Sequence, residues 1–434
     1  MEFGALLAAA YDAESGTSRL YDDLRLVAGC SQEISRSEFN SAGGMDELSA
    51  KYDAHLAPHV TAVVLTRNEE DVIERCLGAL SKDVDDILVI DSGSEDGTVD
   101  AARSSAPGVA VLHSSWVDDF SHHRNLGLEN VGQGWVLFVD ADETLDPASQ
   151  GRIRRALKVL DFLLPGVDFV LAPRIIDTSG SVYENIHRFM RSDTALRFRG
   201  RVHERPYTPR GDMPPSVLLN IDFSHRGYEP EFIQRKSKDA AYSRLVDQCR
   251  EDDPENLAWV YYQSRSALDH VNDPDHARQL FGELERAVRN CPADAPDYLS
   301  DRRSDCFVIL CELALRFGGA NEVHTYASEL EGVGRVVEAT YYRTVSGSSR
   351  ALGDLSRLVD GIEVAAGYAT PGTAAQMGKL FEFQALLSLA CGRYDEIATA
   401  AARAAAMGVH GGLKHDMEEL RRLLAWWDAE NAEQ

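Results

Sequence analysis

The period of apolar positions changes along this chain, and the changes divide it. Over Val60–Leu65, Asp86–Asp91, Gly108–Leu112 and Trp135–Asp140 the residues are almost continuously apolar. That is the pattern of strands buried on both faces. Between them, Glu69–Leu80 carries Val72, Ile73, Cys76, Leu77 and Leu80 at helical spacing, and Asp96–Arg103 and Phe120–Asn130 read as shorter helices. Strand and helix alternating at short intervals predicts βαβ units, right-handed crossovers and a parallel sheet. A longer helix is expected over Pro147–Leu164. Asp168–Pro173, Val182–Met190, Ala195–Phe198 and Val217–Phe223 then read as strands joined by turns, a mixed or antiparallel edge.

The flanks follow other rules. Residues 1–57 are polar, with Leu20, Tyr21, Leu24 and Val27 at helical spacing and a break at Ser41-Ala42-Gly43-Gly44. They are expected to form an N-terminal helical segment with one packed face. Residues 58–230 form the α/β domain. Beyond Pro230 the strand signals stop, and residues 231–434 read as an Ala-rich helical tail. Trp259–Leu268 with Ala277–Phe281 and Ala287, and Ala385–Ala390 with Tyr394–Ile397, Ala400, Ala401 and Ala404, repeat a theme of small packing residues with an aromatic after the turn. The theme resembles tetratricopeptide repeats, which stack into a concave surface suited to binding or dimerisation, or to support alone.

Composition narrows the classes. A net charge of −26 argues against nucleic-acid and anionic-membrane partners, which call for basic patches. No segment approaches the length of apolar run that spans a bilayer. The seven cysteines are scattered without a Cys-x-x-Cys pair, and the N-terminal Met-Glu-Phe-Gly-Ala-Leu-Leu has no basic region before its apolar run. Both features read as a cytosolic protein with reduced thiols, Cys306 and Cys311 being core residues of one helix.

The chemistry collects at strand ends. The first strand runs into Thr66-Arg67-Asn68-Glu69, the second into Asp91-Ser92-Gly93-Ser94-Glu95-Asp96-Gly97-Thr98, and the fourth into Asp140-Ala141-Asp142-Glu143. In a parallel sheet these clusters share the edge where nucleotides bind. Asp-x-Asp there suits Mg²⁺ or Mn²⁺, held by carboxylates and substrate phosphates; a helix cap is the plainer alternative. Neither a Gly-x-Gly-x-x-Gly nor a Gly-Lys-Ser/Thr phosphate loop is present, which weighs against hydride transfer and P-loop hydrolysis.

Val63–Glu70, Val89–Thr98, Asp119–Asn125 and Val139–Glu143, in that spacing, resemble family-2 glycosyltransferases of the GT-A fold. The resemblance covers roughly residues 58–228. It implies a UDP-sugar co-substrate, with Thr66, Asn68, Glu69, Asp91 and Ser92 at the nucleotide. It also implies Arg124 facing the diphosphate, Asp140 and Ala141 near the ribose or sugar, and Asp142 on the divalent metal. An internal ion pair with Asp119 or Asp91 is the other reading of Arg124. The family often carries a Gly-x-Val-His-Glu segment on the acceptor side, matched by Gly200-Arg201-Val202-His203-Glu204. In inverting transfer one carboxylate acts as base. Glu204 is the first candidate and Asp119 the second, while a salt bridge to Arg201 or Arg205 is the alternative for Glu204. His203 would touch metal or diphosphate, and His225 is a further metal or phosphate ligand or a structural histidine. The loop over residues 205–216 is a candidate lid.

The leader, the α/β domain and the helical tail together resemble sublancin-type peptide S-glycosyltransferases. That implies a cytoplasmic homodimer moving a hexose, commonly glucose from UDP-glucose, to a cysteine of a bacteriocin precursor, with Ser or Thr as further acceptors. A lipopolysaccharide-core or other glycan acceptor is the alternative, since such enzymes share the Asp-Ala-Asp-Glu and Val-His-Glu segments but are usually short. A non-catalytic repeat scaffold is a third.

Overall fold

A computed structural model describes residues 1–39, 43–106, 108–225 and 238–409, with short pieces between 418 and 426. The boundary expected after Pro230 lies outside these residues, as do Ser41 and Ala42. The chain separates into two compact units. One comprises residues 1–270 and 286–303, the other residues 271–285 and 304–434.

The first unit is built on twelve strands: β1 Val27–Cys30, β2 Val60–Thr66, β3 Asp86–Asp91, β4 Val109–His113, β5 Trp135–Asp140, β6 Glu143–Leu145, β7 Val170–Asp177, β8 Val182–Tyr183, β9 Phe189–Arg191, β10 Arg197–Arg199, β11 Arg205–Tyr207 and β12 Ser216–His225. Ten of them form one sheet, ordered β1-β12-β7-β9-β5-β2-β3-β4, with β6 on β12 and β8 on β7. β4, β3, β2 and β5 are parallel neighbours, as the alternation of strand and helix predicts. β9 joins β5 antiparallel, and β7 and β12 pair in parallel beyond it. The sheet is therefore mixed, with helices packed against it: the GT-A, Rossmann-like α/β arrangement.

Burial follows the sequence pattern. β5 is buried along its apolar run, as a central strand covered on both faces must be. β12 alternates instead, burying Val217, Leu219, Ile221 and Phe223 and leaving the residues between them partly open.

Three expectations change. The leader is not helical throughout: Val27 opens β1, which pairs with β12 and extends the sheet edge. Leu20, Tyr21 and Leu24 of its apolar set lie on the short helix Arg19–Leu24, with Leu20 and Leu24 buried. Val182–Met190 is two short strands rather than one: Val182–Tyr183 pairs antiparallel with the end of β7, and Phe189–Arg191 lies between β5 and β7. The helix expected over Pro147–Leu164 begins at Arg152, after a 3₁₀ turn at Pro147–Ser149 capped by Asp146. The first unit also includes the helix Leu257–Leu268, which the sequence assigns to the tail.

The second unit contains the helix Arg303–Arg316 from Ser304 onward, then Ala320–Gly332, Val336–Ala366, Ala374–Ala390 and Tyr394–Ala406, these last four packed in succession. Cys306 and Cys311 share one of these helices and are buried, as expected. All seven cysteines are free. No described helix is long and apolar enough to cross a membrane.

The helix Phe120–Glu129 lies directly on the sheet, and Gly127 permits it. A Cβ there would stand 2.6 Å from Val63 Cγ1 and 3.1 Å from Ile90 Cδ1. Gly127→Ala should therefore cost about 1–3 kcal/mol through overpacking, outweighing the gain of about 1 kcal/mol that Ala brings to a helix interior. Thermal unfolding checks this; a variant more stable than the parent would show that the contact relaxes freely.

Candidate active site

Strand register brings the predicted clusters together. Leu65 of β2 lies opposite Asp140 of β5, and Thr66 lies opposite Asp91 of β3. The three polar strand ends therefore share one edge.

At the first two, side chains hold the loops. Asn68 adopts φ +55°, with its Oδ1 accepting from Glu95 N at 2.8 Å and its own N–H donating to Ser94 Oγ at 3.0 Å. Glu69 N–H donates to Thr98 Oγ1 at 2.7 Å. Ser92 is buried and donates through both N–H and Oγ to Thr66 O, at 3.0 and 3.1 Å. The Thr66 hydroxyl is buried with no protein partner. Burial would raise Asp91, but hydrogen bonds from Ser94 and His113 (Nδ1 at 3.1 Å) outweigh it and keep the carboxylate ionised.

At the β5 end, charges alternate. Arg124 donates through Nε to Glu204 Oε1 at 2.5 Å and through Nη2 to Asp140 Oδ1 at 3.1 Å. Asp140 Oδ2 accepts from Arg188 Nη2 at 2.6 Å, and the same Nη2 reaches Glu143. Glu143 Oε2 accepts the Asp140 N–H at 3.1 Å, closing the loop. Arg124, Arg188 and Glu143 are buried. Burial alone would raise Asp140, but Arg188 and Arg124 hold it well below the usual carboxylate range. Burial raises Glu143, and the neighbouring Asp140 adds to this against the pull of Arg188.

The pairing of β6 with β12 sets His225 opposite Glu143. His225 Nε2 comes to 3.5 Å from Asp142 Oδ1. Burial pushes this imidazole down, and Asp142, backed by Glu143 and Asp140, more than reverses the effect.

Local structure explains how Arg124 and Glu204 meet across eighty residues of chain. Arg124 lies over the rings of Phe138 and Phe198, at 5.8 and 5.7 Å. The next residue, Asn125, exchanges two 2.9 Å hydrogen bonds with the Phe198 backbone, fixing the β10–β11 hairpin to the helix. The hairpin tip turns through Gly200 at φ +100° and His203 at φ +54° and delivers Glu204 inward.

Several expectations shift accordingly. Arg124 pairs with Asp140 and Glu204, not with Asp119 or Asp91. Arg201 pairs with Asp252 and Arg205 with Asp301, so neither neutralises Glu204. Asp119 caps the helix Phe120–Glu129: its Oδ1 accepts from His122 N–H at 3.0 Å and Ser121 Oγ at 2.7 Å. One oxygen of the carboxylate is thereby engaged in capping. His203 stacks on Tyr262 with ring centroids 3.9 Å apart, while the imidazole beside Asp142 is that of His225. Partial desolvation against Tyr262, with Arg302 and Arg265 nearby, lowers the His203 pKa. The loop over residues 205–216 is tied down rather than free: Gly211 O accepts from Tyr298 N–H at 2.8 Å, and Met213 N–H donates to Asp297 at 2.7 Å. A lid role has no support there.

Arg188, Glu143 and His113 are members that sequence reasoning passed over. Glu143 stood in the quoted run as the third carboxylate. Arg188 left a signal too, as a lone guanidinium inside Ile186-His187-Arg188-Phe189-Met190. A charge within a buried strand needs a partner.

Among the described residues no three metal-ligating side chains converge. Asp142 and His225 form a two-member donor set, an oxygen and a nitrogen, to which substrate phosphate oxygens would add the rest.

Residues 61–212 match the Glycosyl transferase family 2 model. With the mixed sheet and its polar strand ends, this shows that the chain carries a family 2 glycosyltransferase domain. Over 349 residues the chain is also 28% identical to the SPbeta prophage-derived glycosyltransferase SunS of Bacillus subtilis strain 168, covering 79% of each. The resemblance to sublancin-type glycosyltransferases stands on that match. The lipopolysaccharide core biosynthesis glycosyltransferase LpsC of Rhizobium meliloti is 28% identical over 164 residues, 37% of this chain and 59% of its own. The solved structure of S. aureus TarS aligns with a TM-score of 0.34 at 15% identity, over 60% of this chain and 54% of that one.

Two imidazoles in the first unit, one buried and one half-buried, predict acid sensitivity. His123 is fully buried, stacks on Trp116 with centroids 5.3 Å apart, and has neither ring nitrogen partnered. Burial lowers its pKa, and burial with the nearby Arg205 lowers His187 to about 4. A depressed imidazole leaves stability complete above the unfolded value near 6.5 and erodes it as pH falls toward 4. His187→Phe should remove about 2 kcal/mol of the stability difference between pH 7.5 and pH 5. Urea unfolding at both pH values reads it; an unchanged difference would refute the assignment.

Proposed function

We propose that the chain is an inverting hexosyltransferase that moves a hexose, glucose from UDP-glucose foremost, onto the thiol of a cysteine in a precursor peptide. The observation that carries the reading is the meeting of Arg124, Asp140, Asp142 and Glu204 at one sheet edge. The similarity to SunS over 79% of both chains supports the peptide acceptor, and a large helical tail gives a peptide room to bind.

In this reading Thr66, Asn68, Glu69, Asp91 and Ser92 hold the nucleotide. The unpartnered Thr66 hydroxyl is a hydrogen-bonding group left for a ligand. Arg124 draws the diphosphate. Asp142 and His225 would hold a divalent cation, which would supply positive charge beside the leaving diphosphate. Glu204 takes the acceptor proton as the acceptor attacks C1 from the face opposite the leaving group. Since Glu204 rests on Arg124, the diphosphate competes for that guanidinium and loosens the carboxylate as the donor arrives. The tail would be tetratricopeptide-like and dimer-forming.

The test is the intact mass of a co-expressed Cys-containing precursor peptide encoded beside this chain. A gain of one hexose, absent with Asp142→Ala, is expected. Transfer to a glycan and to no peptide would favour the second reading, to which the LpsC similarity points.

The acceptor atom sets a further expectation. A few per cent of a free thiol is already ionised at neutral pH, whereas a serine hydroxyl depends on its base. Glu204→Gln should slow transfer to a Ser peptide at least about tenfold more than transfer to the matched Cys peptide. Equal losses in a side-by-side rate assay would remove Glu204 as the base.

A further inference from the structure

Resting on the reading of this edge as a UDP-sugar site, we infer that Arg188 is a positioning residue: it fixes Asp140, and through it the Arg124–Glu204 pair, in the geometry that donor binding requires.

Arg188 touches no group assigned to the substrate. Its Nη2 divides between Asp140 Oδ2 at 2.6 Å and Glu143, leaving Asp140 Oδ1 to Arg124 at 3.1 Å. Each carboxylate oxygen of Asp140 thus has its own guanidinium, and rotation of the group would break both contacts. The Arg188 backbone is equally fixed. Its N–H donates to Leu171 O and its carbonyl accepts from Phe138 N–H, both at 2.8 Å, so it bridges β7 and the functional strand β5. The side chain is buried and cannot be held by water instead. Asp140 N–H is anchored by Glu143, the other partner of Arg188. One guanidinium therefore sets both the side chain and the backbone of the Asp-Ala-Asp turn. Arg124 receives the consequence: its two carboxylate partners are Asp140 and Glu204, so a misplaced Asp140 shifts the share of Arg124 held by Glu204.

The rival role is charge balance alone, in which Arg188 only offsets Glu143. The double variant Arg188→Met/Glu143→Gln separates the two. It removes the buried pair together, and Gln keeps an acceptor for the Asp140 N–H. UDP binding by calorimetry, UDP-glucose hydrolysis with Mn²⁺ and no acceptor, and thermal unfolding are read on the full chain. A positioning role predicts near-parental unfolding, with UDP affinity and hydrolysis kcat each down about tenfold or more. Parental affinity and kcat in the double variant would overturn it. If the double variant does not fold, Arg188→Lys decides, since its ammonium keeps the charge but ends one bond short of Nη2. A stable Lys variant with a comparable loss supports positioning, and one with parental turnover overturns it. A parent chain that binds no UDP and hydrolyses no UDP-glucose would instead refute the functional reading and take this inference with it.

Discussion

The active edge depends on the pairing of buried guanidinium groups with carboxylates at the end of β5. Glu204, Arg124, Asp140, Arg188 and Glu143 alternate in sign, with Asp142 and His225 beside them. Charges taken out of water cost several kcal/mol each unless paired with good geometry. Such a cluster is poor evidence for stability but strong evidence for constraint: removing Arg124 takes the guanidinium from Glu204, and removing Arg188 takes it from Glu143. The fold accordingly fixes each member through backbone. β5 carries Asp140, β6 and β12 bring Glu143 and His225 together, Arg188 bridges β5 and β7, and the Asn125–Phe198 clamp delivers Glu204.

How legible this was in the sequence depends on how local each determinant is. The four parallel strands were readable because a strand buried on both faces leaves an unbroken apolar run, as Val60–Leu65 and Trp135–Asp140 do. Their polar ends were readable for the same reason, since direction and parallel order place all of them on one edge. Val27 was misread because Leu20, Leu24 and Val27 fit a helical period, while pairing with Leu219 decides its true state. That is a tertiary choice, invisible to local spacing. Asp119, the second candidate base, has a plainer local role as well: a carboxylate before a helix is first of all a cap, and the capping geometry is present.

Contacts between distant segments were the least legible. Arg124 and Glu204 were each singled out, yet their pairing joins residues eighty apart in the chain. Arg188 was overlooked because an arginine in a strand reads as a solvent-facing residue unless the strand is known to be interior. β9 lies between β5 and β7, and that position decides the matter.

The same ion pairs bear on which acceptor the site suits. Glu204 Oε1 already accepts from the buried Arg124 Nε at 2.5 Å, so that oxygen is engaged before any acceptor arrives. A hydroxyl acceptor asks such a group for a full share of proton removal in the transition state. A thiol, partly ionised before it arrives, asks much less. On the proposed reading, the interaction that pre-organises the donor side also limits access to the carboxylate on the acceptor side. A sulfur nucleophile tolerates that limit where an oxygen nucleophile would need Glu204 released from Arg124 first.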